Sequence, residues 1–127
     1  MSNSKKKAGS KDKIFKIVDW AVSKGAINPI ILDVSASSGL CDYFIICSAD
    51  NSRQVEAICD EIKDKCKKEK IRVAHIEKDD APQWILMDMV DVIFHIFIEE
   101  ARDLYNLECL WSDAKKIKIP PAKKVKE

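Results

Sequence analysis

The segment QWILMDMVDVIFHIFI (residues 83–98) limits the choice of fold more than any other part of the chain. It holds two apolar runs of strand length with only Met89-Val90 between them, too close together for anything but a hairpin. A two-residue loop there pairs Asp88 with Asp91, Met87 with Val92, Leu86 with Ile93, Ile85 with Phe94 and Trp84 with His95. Side chains alternate between faces along a strand. One face then carries Ile85, Met87, Val92, Phe94, Ile96 and Ile98, wholly apolar, and must lie on a core. The other carries Trp84, Leu86, Asp88, Asp91, Ile93, His95 and Phe97, and is mixed. Two acids directly opposite each other destabilise a sheet by about 0.2–1 kcal/mol. A nearby lysine or a basic partner would offset this, and the plainer reading is that both acids bound the strands at an exposed turn.

The other elements follow from periodicity. Ile14, Ile17, Val18, Ala21 and Val22 recur at helical spacing and predict a helix over about 11–24, ended by Gly25, with Asn28-Pro29 as a turn. IILDVS (30–35) and CDYFIICSA (41–49) read as strands around the loop SASSGL. Residues 50–70 make the clearest helix. Val55, Ile58, Cys59, Ile62 and Cys66 line one face and charges the other, with Asp50, Asn51 or Ser52 able to cap the start. IRVAHIE (71–77) reads as a strand, EEARDLY (99–105) as a short helix, and Leu107, Leu110 and Trp111 call for docking on the core. The expected fold class is α/β (α+β): a single domain with a mixed five-stranded sheet flanked by helices. Residues 12–114 form that domain, between a basic N-terminal tail (1–11) and a Lys/Pro-rich C-terminal tail (115–127).

Charge narrows the function. The net charge of +1 hides a separation. Residues 1–13 hold five Lys and one Asp, and residues 115–127 hold six Lys and one Glu. Of the 22 basic and 21 acidic residues, 11 and 19 remain for 14–114, a body of net charge −8. Such a body is repelled by bare nucleic acid and drawn to a basic protein surface, while the lysine tails can touch phosphates weakly or simply keep the ends solvated. No apolar run suffices for a membrane helix or a signal peptide, which predicts a cytoplasmic protein without membrane contact. The five cysteines, 41, 47, 59, 66 and 109, show no CxxC and read as small buried hydrophobes in a reducing compartment. No clustered zinc ligands, phosphate loop or paired Asp-x-Asp is visible. Asp33-Val34-Ser35 offers one acid where metal-assisted phosphoryl transfer needs two, and no cysteine has the setting of a nucleophile. Neither a metal nor a cofactor is expected.

Two stretches carry a resemblance that spans roughly residues 12–115. DYFIICSADNSRQVEAICDEIKDK and HIE…WILMDMVDVIFHIF…EARDLYNLECLWSDA resemble the two signatures of the ribosomal silencing factors, the RsfS or Iojap family. The resemblance implies a nucleotidyltransferase-like fold without the catalytic acids, hence no enzyme. It also implies a protein that binds the large ribosomal subunit through large-subunit ribosomal protein fourteen, blocks joining of the small subunit and represses translation when nutrients are scarce. The matching positions are Asp42, Tyr43, Ser52, Arg53, Glu77, Trp84, Asp88, Asp91, His95, Glu100, Arg102, Tyr105, Leu110 and Trp111. Trp84, Leu86, Asp88, Asp91, Ile93, His95, Tyr105 and Trp111 are expected to form the partner surface, with Trp84 at its centre. Asp42, Tyr43, Ser52, Arg53 and Glu77 are motif or structural positions, and Arg53, Arg102 and Glu108 are candidates for a structural ion network. The chain departs from the family at Val90 and Lys78, where glycine is usual. The alternative functions are a residual nucleotide-binding nucleotidyltransferase using Asp33, Asp88 and Asp91, and a homodimer formed through the same mixed face when the partner is absent.

Overall fold

The computed structural model describes residues 2–36, 39 and 41–120, with side chains from residue 11 onward. Its elements are α1 (Ser2–Ser23), β1 (Ile27–Asp33), β2 (Tyr43–Ala49), α2 (Ser52–Glu69), β3 (His75–Glu77), β4 (Trp84–Asp88), β5 (Val92–Ile98), α3 (Glu99–Tyr105), α4 (Leu107–Leu110) and β6 (Lys115–Ile117). The strands form one sheet in the order β3-β4-β5-β2-β1-β6, antiparallel except for the central β2–β5 pair. The α/β class holds, with six strands among the described residues rather than five.

One face of the sheet is sealed by α1 and α2. Ile14, Ile17, Val18 and Ala21 from α1 and Val55, Ile58, Cys59, Ile62 and Cys66 from α2 pack on Tyr43, Ile45 and Cys47 of β2, Ile85 and Met87 of β4, and Val92, Phe94 and Ile96 of β5. Each fully buried isoleucine contributes about 1.5–3 kcal/mol. Asn51 caps α2 by accepting the Gln54 amide (2.9 Å), and Lys70 ends it in the left-handed region, its amide on the carbonyls of Cys66 and Lys67. On the opposite face, Leu32, Val34, Cys41, Phe44, Ile46 and Phe97 receive Ala101, Leu107, Trp111 and Ala114 from the C-terminal segment. That segment covers β1, β2 and the Phe97 end of β5, and reaches β4 only through Tyr105 on Trp84, so the face over β4 stays partly open. Of the cysteines, 41, 47, 59 and 66 are buried and Cys109 is exposed.

Several expectations are corrected. The hairpin turn is Val90-Asp91, with the Met89 amide on the Val92 carbonyl (2.8 Å), so Trp84 faces Phe97, Leu86 faces His95 and Asp88 faces Ile93. This register lies two residues from the expected one, and a shift of two leaves every side chain on its expected face. Asn28-Pro29 is not a turn but a bulge inside β1, between Ile27 and Ile30, with Asn28 at φ 49°. The strand expected over 71–77 is laddered only at His75–Glu77. Leu110 is not buried but 74% exposed. α1 begins at Ser2, within the expected N-terminal tail, and β6 lies within the expected C-terminal one. Residues 121–127, with Lys123, Lys124 and Lys126, lie outside the described residues.

Candidate protein-docking site

The open face is organised in rows that cross the sheet. One runs His75, Asp88, Ile93, Phe44, Leu32, Lys116 from β3 to β6; the next runs Glu77, Leu86, His95, Ile46, Ile30. Acids therefore collect at the β3/β4 end and a lysine lies at the β6 end. Trp84 heads the third row, opposite Phe97, with ring centroids 5.0 Å apart and stacked.

Aromatic side chains join into a ridge over these rows. Trp111 meets Phe44 edge to face at 5.1 Å, Phe44 meets His95 in the same way at 5.1 Å, and Trp84 contacts His95 at 5.8 Å and Tyr105 at 4.8 Å. The α3–α4 turn at Asn106 (φ 45°) lets Tyr105 lie beside Trp84 while Leu107 and Trp111, one helical turn apart, face the sheet. Arg102 holds that turn. It makes a two-pronged pair with Glu108 (3.1 Å each) and donates to Ser48 Oγ (2.9 Å) and to the Asn28 carbonyl (2.8 Å). The expected network thus contains Arg102 and Glu108, while Arg53 is exposed and is not among its members.

The expected partner residues separate by exposure. Trp84, Leu86, Asp88 and Ile93 are partly exposed, and Tyr105 is 48% exposed. Trp84, Leu86 and Tyr105 line an open groove of about 670 Å³ whose rim includes Glu77 and Asp79. Trp111 is partly buried against Phe44 and borders the patch. His95 is corrected from contact to support. It is only 4% exposed, and its Nδ1 accepts the Trp84 Nε1–H at 3.1 Å. Its other ring nitrogen, Nε2, is buried without a hydrogen-bond partner among the described residues. Burial pulls its pKa down to about 4, so the ring is neutral at pH 7 with its proton on Nε2. Asp91 is likewise redirected: its carboxylate ion-pairs with Lys13 of α1, tying that helix to the hairpin turn. Asp88 accepts the Val90 amide at 2.9 Å and so shapes the turn while keeping an exposed edge.

Asp42 sits between strands, its amide on the Asp91 carbonyl (2.9 Å) and its carbonyl on the Val34 amide (2.8 Å). Tyr43 is fully buried, Ser52 opens α2 beside its cap, and Glu77 bonds His75 at 3.1 Å. Asp33 accepts the Ser35 amide and hydroxyl, and two strands, β2 and β5, separate it from Asp88, so these acids do not form a pair. Among the described residues no group of three His, Cys, Asp or Glu could hold a metal, and no helix is long and apolar enough to cross a membrane. Sequence reasoning missed Phe44 as the link between the two tryptophan clusters, Lys13 as the partner of Asp91, and Leu104, 78% exposed beside Tyr105. Phe44 was legible in principle, since alternation along β2 puts it on the open face.

A family model described as ribosomal silencing factor during starvation matches residues 7–127. The ribosomal silencing factor RsfS of Bacillus subtilis is 42% identical over 91 residues, 72% of this chain and 77% of that protein. The mouse protein named mitochondrial assembly of ribosomal large subunit protein 1 is 28% identical over 107 residues, 82% of this chain and 47% of that protein. A crystal structure of a Bacillus halodurans protein superposes with a TM-score of 0.76 at 28% identity, covering 86% of this chain and 99% of that one.

Proposed function

The chain belongs to the ribosomal silencing factor family, and from that premise we propose that it represses translation under nutrient limitation. In this reading it binds the large ribosomal subunit through large-subunit ribosomal protein fourteen and keeps the small subunit from joining by occupying its space. The curated relatives are named as regulators, and the chain is a non-enzymatic regulator. The large subunit as target is supported by the name of the mouse relative, which concerns assembly of that subunit. Its setting is the cytoplasm.

The observation that carries the reading is the uncovered part of the sheet. Trp84, Leu86 and Ile93 make a partly exposed apolar centre, Tyr105 walls it, and Asp88, Glu77 and Asp79 give it an acidic rim. Aromatic anchors in a patch with charges at its edge are the usual make-up of an interface hot spot, and an acidic rim complements a basic ribosomal protein. A second copy of the chain is the competing occupant of the same face when the ribosome is absent. The test is co-sedimentation with purified large subunits. Wild type is expected to pellet with them, and Trp84→Ala to stay in the supernatant while retaining its fold. Equal pelleting of the variant sinks the site assignment, and failure of wild type sinks the function.

A further inference from the structure

Across the sheet from Trp84, the second half of α2 and the segment entering β3 enclose an open groove of about 420 Å³. Cys66, Ile71, Val73 and Ile76 give it apolar walls, and Lys63 and Lys67 stand among its lining. Ile71, Val73 and Ile76 pack against the main core yet remain partly exposed.

Most cations elsewhere on the body are paired, with Lys24 and Arg53 the exceptions among the described residues. Lys13, Lys16, Lys65, Lys68 and Lys78 each pair with an acid. Lys63 and Lys67, with Lys70 and Arg72 next along the chain, form no ion pair among the described residues. The dipole of α2 favours cations in its last turn, which accounts for Lys67. It does not account for Lys63, a turn earlier, or for Arg72, beyond the helix. An acidic body thus carries a local cluster of uncompensated cations beside an apolar trough.

The strand edge adds a backbone site. The Ile98 amide bonds the Gln83 carbonyl and the Met89 amide bonds the Val92 carbonyl, so odd-numbered β4 residues direct their backbone at β5. Leu86 and Asp88 then direct theirs at Glu77 and His75, their partners in β3. Ile76, between those two, turns its amide and carbonyl outward along the groove.

We propose that this groove is a second docking surface, which takes an extended acidic segment of a partner protein. Apolar side chains of that segment rest on Ile71, Val73 and Ile76, its carboxylates meet Lys63 and Lys67, and its backbone bonds Ile76. Nucleic acid fits less well: the wall of Ile71, Val73 and Ile76 suits apolar side chains rather than phosphates, and the one ring in the lining, His75, is bonded to Glu77, whose charge repels a phosphate backbone. Trp84 lies on the other face and Ile76 is the single residue common to the two grooves, so one chain can hold two proteins at once, which goes beyond the silencing role.

The probe is a short peptide of alternating Glu and Val, added to the isotope-labelled full chain. A Lys–Val counterpart and an oligo-uridine serve as the other arms. The Glu–Val peptide is expected to shift amide resonances within 63–76, to slow exchange of the Ile76 amide, and to leave the Trp84 indole unmoved. The double variant Lys63→Gln/Lys67→Gln, at exposed positions, weakens the peptide roughly tenfold or more while keeping the amide dispersion of the folded chain, with a small drop in melting temperature from the lost cation at the end of α2. Trp84→Ala leaves it intact, which separates this surface from the silencing site. Equal binding of the Lys–Val peptide, shifts confined to other residues, or oligo-uridine bound at 63–76 as tightly as the peptide would each overturn the proposal.

Discussion

Val90 holds a left-handed backbone (φ 76°) in the hairpin turn, with its side chain 53% exposed. A β-branched residue is disfavoured there by about 1–2 kcal/mol, and almost no packing offsets the cost. Val90→Gly is therefore expected to stabilise the protein by roughly 1 kcal/mol in urea unfolding, although glycine usually weakens a chain. His95 makes a prediction in the pH dimension. Burial holds it neutral and lowers its pKa from 6.5 to about 4. The unfolded chain then takes up a proton that the folded one refuses. Stability is full above pH 6.5 and falls as the pH drops toward 4, by up to about 3 kcal/mol. Unfolding curves at pH 7 and pH 5 should show the loss, and His95→Phe should flatten that part of the profile. Above pH 6.5, loss of the acceptor for the Trp84 indole should instead appear as a change in tryptophan emission.

At the scale of elements, the β4–β5 hairpin shows what alternation can and cannot fix. Its faces were readable because Trp84, Leu86 and Asp88 alternate with Ile85 and Met87. Its turn was not, because Met89-Val90 and Val90-Asp91 satisfy the same alternation, and only packing and the Asp88–Val90 bond choose between them. The Asn28 bulge was hidden for a similar reason: Asn-Pro announces a break in direction, and a bulge is such a break within a strand. β6 gave no signal, since Lys115–Ile117 is short and polar and becomes a strand only by pairing with β1. The α3–α4 turn rests on Arg102, largely buried in its pair with Glu108. Arg102→Leu would leave Glu108 and the carbonyl of Asn28 without their donor, at a cost of about 2 kcal/mol. Because that turn positions Tyr105 and Trp111, the variant should also weaken co-sedimentation with large subunits.

On the scale of the whole molecule, α1 and α2 satisfy one face of the sheet completely, and the short C-terminal segment satisfies the other only in part. Ile58, fully buried in that first layer, is expected to cost about 2–5 kcal/mol as Ile58→Ala without touching the docking residues. A contact of the C-terminal lysines with RNA phosphates predicts that deletion of residues 121–127 makes binding less steeply dependent on salt, and an unchanged slope removes that contact. By itself the sequence determined the α/β class, the two core helices, the faces of the hairpin and the residues of the family signature, because each is written in local periodicity or in a fixed order of side chains. Tertiary structure alone decided which of Trp84, Asp88, Asp91 and His95 can reach a partner. Exposure and pairing depend on what packs from distant parts of the chain: Lys13 claims Asp91, Trp84 covers His95, and Tyr105 of α3 covers Trp84 only in part, leaving Trp84, Leu86 and Ile93 partly exposed.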